Sequence, residues 1–208
     1  MEKEKQKRAM LAGIAAMALF MIGDWLLDVK GSGNKEVGLF VNSNWSAMSM
    51  WRFEVSILLA AAAMPLYWIA LKELRHIVTD ACSRNPKGHA LAMKRLFDFS
   101  SAADVTNQVG MYILLPFMIY YLVMDIGMSV VMVYLILTRR FALPKWMACF
   151  HPVGGLVLCG IFAAIPVVWC NDVSVAFESM GHLLMFVAGY VLLQQFDKIK
   201  TIIYSTYK

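Results

Sequence analysis

The chain has 208 residues, of which 60% are hydrophobic and only 16% charged, and its mean hydropathy of +0.62 is far above what a soluble domain of this size requires. A formal net charge of +5 would suit a nucleic-acid partner in a soluble protein; here the basic residues cluster between long apolar runs and read as topology signals, so no nucleic-acid partner is expected. Because lipid tolerates neither unpaired backbone nor open sheet edges, and a span takes about 20 apolar residues, the composition predicts an all-α polytopic transmembrane bundle in one domain.

The first apolar run covers residues 9–29, behind a basic segment. Its length, and Asp24 and Asp28 where a signal peptide would carry a small-residue cleavage site, predict a retained span. The segment Lys30 to Met50, with Gly31-Ser32-Gly33-Asn34, Trp45 and an Asn44-Trp45-Ser46 sequon, is long enough to lie over the bundle mouth as a lid or to act as a plain connector. A second span over 51–71 begins with Arg52 and Glu54. Residues 72–95 form a basic loop that turns at Asn85-Pro86-Lys87-Gly88 between two helical arms. The spans at 96–117 and 119–138 are cut from one stretch, Phe97 to Thr138, that contains no Lys or Arg. Asp104, Asn107, Gln108 and Asp125 interrupt it, and Pro116 marks a turn or kink. A fifth span over 147–169 carries the close-packing residues Gly154-Gly155 and Gly160, and a sixth over 174–194 carries Glu178 and His182.

Six spans sort the basic residues. Lys3, Lys5, Lys7 and Arg8, the loop cations from Lys72 to Arg95, then Arg139, Arg140 and Lys145, and finally Lys198, Lys200 and Lys208 all fall on one side. Only Lys30, Lys35 and Arg52 of the 19 fall on the other. The rule that short cytoplasmic loops are basic then puts both termini in the cytoplasm, in what is expected to be a bacterial inner membrane. Five spans would move the basic tail outside.

Ionisable residues inside a bilayer are costly, so they are expected to face the bundle and to be functional or paired. On this topology Asp24, Glu54, Asp125, Glu178 and His182 share the outer half, with Arg52 beside them and Asn107 and Gln108 as a floor. Glu178 and His182 are four apart and share a helical face, the geometry of two metal ligands or of a carboxylate orienting an imidazole for acid/base work. Asp24, Glu54 and Asp125 are the candidate further ligands or partners; a hydrogen-bonded network with only a structural role fits the same residues. No particular metal or cofactor is implied. Asp24 and Asp28 repel on one face unless one is protonated or Arg52 lies between them. His151, before Pro152, reads either as a partner for Asp104 or as a cap. The four cysteines lack metal or disulfide spacing, and GxxxxGK[ST], GxGxxG, GxSxG and HExxH are absent.

In Gly23-Asp24-Trp25-Leu26-Leu27-Asp28, Trp51-Arg52 and His151-Pro152 the chain resembles an uncharacterised family of small multi-pass bacterial membrane proteins. The resemblance covers most of the chain and implies a helical membrane bundle without supplying an activity. The Gly23-Asp24 segment is also similar to lysoplasmalogenase-type lipid hydrolases, which have more spans and a second acidic motif that this sequence lacks. Two functions are expected from the residues. One is an intramembrane enzyme acting on a lipidic substrate, with His182 and Glu178 as the acid/base or ligand pair and Asp24, Glu54 and Asp125 as partners. The other is a non-enzymatic binder or transporter of a cation or small amphiphile. Membrane lipids are the expected surroundings in both.

Overall fold

The computed structural model describes residues 2–28, 49–83, 89–111, 118–166, 174 and 176–206, with the side chains of 28, 103–111, 118–123, 178 and 196–206 outside the description. The described residues are helical without strands: α1 (Glu2–Asp28), α2 (Met50–Ser83), α3 (Ala90–Met111), α4 (Met118–Leu137), α5 (Pro152–Ala164) and α6 (Ala176–Thr206), with a short 3-10 turn at Lys145–Cys149. The expected outer segment, the Asn85 to Gly88 turn and Pro116 lie outside the described residues. Among these helices, two are long and apolar enough to cross a membrane: Glu2–Leu27 and Met50–Ser83.

The helical arms expected on either side of the basic loop are present, since α2 continues to Ser83 and α3 starts at Ala90. Arg75 Nε donates to Asp98 Oδ1 at 2.6 Å, with Lys94 3.9 Å from the same carboxylate, so one acid holds α2 and α3 together beside the loop.

α5 differs most from expectation. In place of a helix over 147–169, the 3-10 turn leads to a break at His151, and the helix begins at Pro152. Proline at the first helical position has no N–H to leave orphaned. The next two N–H groups are satisfied locally: Val153 N donates to Ser129 Oγ of α4 at 3.0 Å and Gly154 N to His151 Nδ1 at 3.2 Å. His151 is thus the cap of α5, the second of its two expected roles. With 13 residues, α5 is about 20 Å long, short of the roughly 30 Å hydrocarbon core.

α1 packs along α2 and α6, α5 lies on α6, and α3 on α4. The α5–α6 crossing brings backbone against backbone. A Cβ at Gly181 would sit 2.5 Å from the Pro152 carbonyl and 2.9 Å from Gly155 N, and one at Gly155 would collide with the Phe177 carbonyl and Gly181. Only glycine fits on both sides. Gly160, on the same helix, faces open space.

Candidate functional site

The core-facing stripe of α4 runs through Asp125, Met128, Ser129, Met132 and Ile136, and that of α6 through His182, Met185, Phe186 and Leu193. Each keeps to one face of its helix, and each carries an ionisable residue. The two stripes bring those residues together. His182 Nε2 lies 3.3 Å from Asp125 Oδ1, and the two residues are 1% and 0% exposed. The contact is long for a charge-assisted N–H···O bond but within reach of an ion pair. It is an ion-pair distance without hydrogen-bond geometry: Asp125 Oδ1 and Oδ2 both lack a hydrogen-bond partner among the described residues.

Aromatic rings wall the pair. Tyr67, itself fully buried, stands edge-on to the imidazole with centroids 6.0 Å apart, and packs edge-on against Phe186 and Phe20 at 5.8 and 6.3 Å. α1, α2 and α6 therefore meet at this ring. Tyr67 is at the midpoint of α2.

Asp24 reaches the same face of α6 one turn away. Its Oδ2 accepts a hydrogen bond from Ser179 Oγ at 3.2 Å, and Ser179 precedes His182 by three residues, one turn on a common face. Arg52 is half-buried near the start of α2. Glu54 is exposed and is not brought to the site: the buried face of α2 runs through Ser56, Ala60, Ala63 and Tyr67, and Glu54 is about 200° around the helix from Ser56. The side chains of Glu178, Asn107, Gln108, Asp104 and Asp28 lie outside the described residues. Three contributors carried no warning in the sequence reading: Tyr67, Ser179 and Ser129. Ser179 could have been found from its place on the turn before His182. Tyr67 could have been found by extending the small-residue face of Ala60 and Ala63 one turn further.

Among the described residues no group of three or more His, Cys, Asp or Glu side chains is placed to hold a metal ion. A carboxyl group beside an imidazole has a general chemistry, the exchange of a proton. Neutral acid with neutral imidazole, and carboxylate with imidazolium, are two arrangements of one proton with no net charge. That is the least costly state for ionisable groups taken out of water, and an imidazole held against a carboxylate is the common acid/base arrangement of protein sites.

The sequence profile of a family of unknown function, DUF6796, matches residues 1–93 and 89–195. No curated protein and no solved structure matches the chain.

Proposed function

The chain belongs to the DUF6796 family of unknown function, and we propose that it is a six-span membrane protein whose working centre is the Asp125–His182 pair, an acid/base dyad for a lipidic substrate that enters from the outer leaflet. One observation carries this reading: a carboxylate and an imidazole, both essentially unexposed, meet at 3.3 Å between two otherwise apolar helix stripes. A stabilising role alone is a poor reason for such a pair, because hydrophobic residues of similar volume commonly fill such a site as well or better. In the dyad His182 exchanges the proton and Asp125 orients the ring and offsets its charge. Asp24, held by Ser179, lies on the route from the substrate side, and Glu178 shares the helical face of His182.

The bilayer placement is supported by what the long helices leave uncovered. Only 33% of the apolar window of each candidate span is buried, which leaves most of that apolar surface uncovered. Leu11, Ile22, Ile57, Leu58, Ile126, Val130 and Ile161 are all exposed, an apolar outer surface that suits acyl chains.

The test is lipid analysis by mass spectrometry after the purified chain has been reconstituted into vesicles of phosphatidylethanolamine and phosphatidylglycerol supplemented with lysolipids and vinyl-ether lipids. A lipid product formed by the wild type and absent with His182→Ala supports the dyad. An unchanged lipid profile with the wild type removes the lipid-enzyme reading. The full burial of the pair favours a second reading, proton-linked binding or transport of a cation or small amphiphile. It predicts that a pH-sensitive dye inside the same vesicles reports proton movement that His182→Ala abolishes.

A further inference from the structure

The end of the bundle formed by the start of α1 carries a groove of about 570 Å³ between α1 and α2. On α1 it is lined by Lys5, Arg8, Ala9 and Ala12, with Glu4 at its lip, and on α2 by Ile69 and Glu73. Positions 5, 8, 9 and 12 follow the i, i+3, i+4, i+7 spacing of a single helix face, so charged residues stand at one end of the groove and alanines continue it into the apolar flank. Arg8 and Ala12 are one turn apart, about 6 Å along the axis.

The charges are not interchangeable. Glu73, buried at its carboxylate, is bound by Lys5 at 2.6 Å, and Glu4 by Lys7 at 3.2 Å. Both acids of the groove are thus compensated, and the exposed Arg8 guanidinium is left without an ion pair among the described residues. One uncompensated guanidinium above a slot floored by Ala9 and Ala12 and flanked by the exposed Ile69 is a complement to one phosphodiester with an acyl chain beneath it. A guanidinium binds phosphate through its planar fork, and alanines leave the width that larger side chains would fill.

We propose that this groove is a binding site for an anionic phospholipid of the leaflet that faces the amino terminus, its phosphate on Arg8 and one acyl chain along Ala9, Ala12 and Ile69. The proposal rests on the membrane placement of α1 and α2 and is independent of the Asp125–His182 dyad. The experiment is native mass spectrometry of the full-length chain in detergent with equimolar phosphatidylglycerol and phosphatidylethanolamine. The wild type should retain phosphatidylglycerol preferentially. Arg8→Gln should lower that retention about tenfold, the worth of a charge-assisted contact to phosphate. Ala12→Phe, which fills the slot and leaves the charge, should lower it similarly, while Arg95→Gln on α3 should leave it unchanged and excess inorganic phosphate should not displace the lipid. Equal retention of the two lipids by the wild type, an undiminished signal in both Arg8→Gln and Ala12→Phe, an equal loss in Arg95→Gln, or displacement by inorganic phosphate would each overturn the site. Failure of the membrane placement itself would be read separately, as release of the chain from membranes by alkaline carbonate.

Discussion

At the scale of single residues, the Asp125–His182 contact makes a quantitative demand. Removing one member leaves the other buried without its counter-group, which for an ion pair costs about 3–5 kcal/mol, whereas replacing both by apolar residues removes the problem. Asp125→Leu and His182→Leu should therefore each lower the thermal midpoint in detergent. The double variant should be more stable than the sum of the singles by about 1–3 kcal/mol, and it should be as inactive as either. Additive effects in that cycle would mean that the two side chains do not interact. A second pair behaves differently. The hydrogen bond to Glu73 raises the Lys5 ammonium above its usual 10.5, so its contribution is complete below that value and is lost only as the pH climbs past it. The thermal midpoint of Lys5→Met should approach that of the wild type only on that alkaline limb. Asp125 and His182 were both legible as candidates, because a charge inside an apolar run stands out in any sequence. The sequence offers Asp125, with Asp24 and Glu54, as a partner of His182, but which of the three acids meets the ring was not legible, because it depends on how the helices are rotated against each other. Glu54 was legible as an intramembrane charge for the same reason, yet its phase on α2 turns it outward.

At the scale of elements, the α5–α6 crossing fixes where His182 stands. Gly181 is its neighbour in sequence and touches the first turn of α5 through backbone atoms alone, while Ser129, one turn from Asp125, accepts the Val153 N–H of the same turn. α5 thereby holds the two helices that carry the pair. Gly181→Val should push α5 away at a cost of about 1–3 kcal/mol or more, and Ser129→Ala should cost about 1 kcal/mol through the lost bond to Val153. Chemical denaturation of each variant measures both. The same substitution at Gly160, where a side chain meets nothing, should be close to neutral in packing. The sequence announced the glycines as points of close approach but could not say which of Gly154, Gly155 and Gly160 makes the contact, since the answer depends on the partner helix. It also announced a longer fifth helix. Hydropathy runs on through residues 147–151, and only the combination of a proline without an N–H and a histidine cap sets the start at Pro152.

At the scale of the whole molecule, helical class was legible from composition, and the apolar surface of α1 and α2 supports the reason given for it. The span count rests on charge: if the chain crosses six times, tags at the two termini report the same compartment, the cytoplasm, and a tag near Gly33 reports the opposite one. A carboxy terminus on the far side would remove that topology and the common outer level assigned to Asp24 and Glu178. The proposed function rests on the Asp125–His182 pair, and that is the claim most directly open to measurement. Nitrogen-15 NMR of histidine-labelled protein in lipid vesicles reads the protonation of each ring nitrogen of His182, assigned by its loss in His182→Gln. If the pair is an acid/base dyad, Nε2 carries a proton directed at Asp125 and its resonance moves on Asp125→Asn. A bare Nε2 whose resonance is indifferent to Asp125→Asn would contradict it.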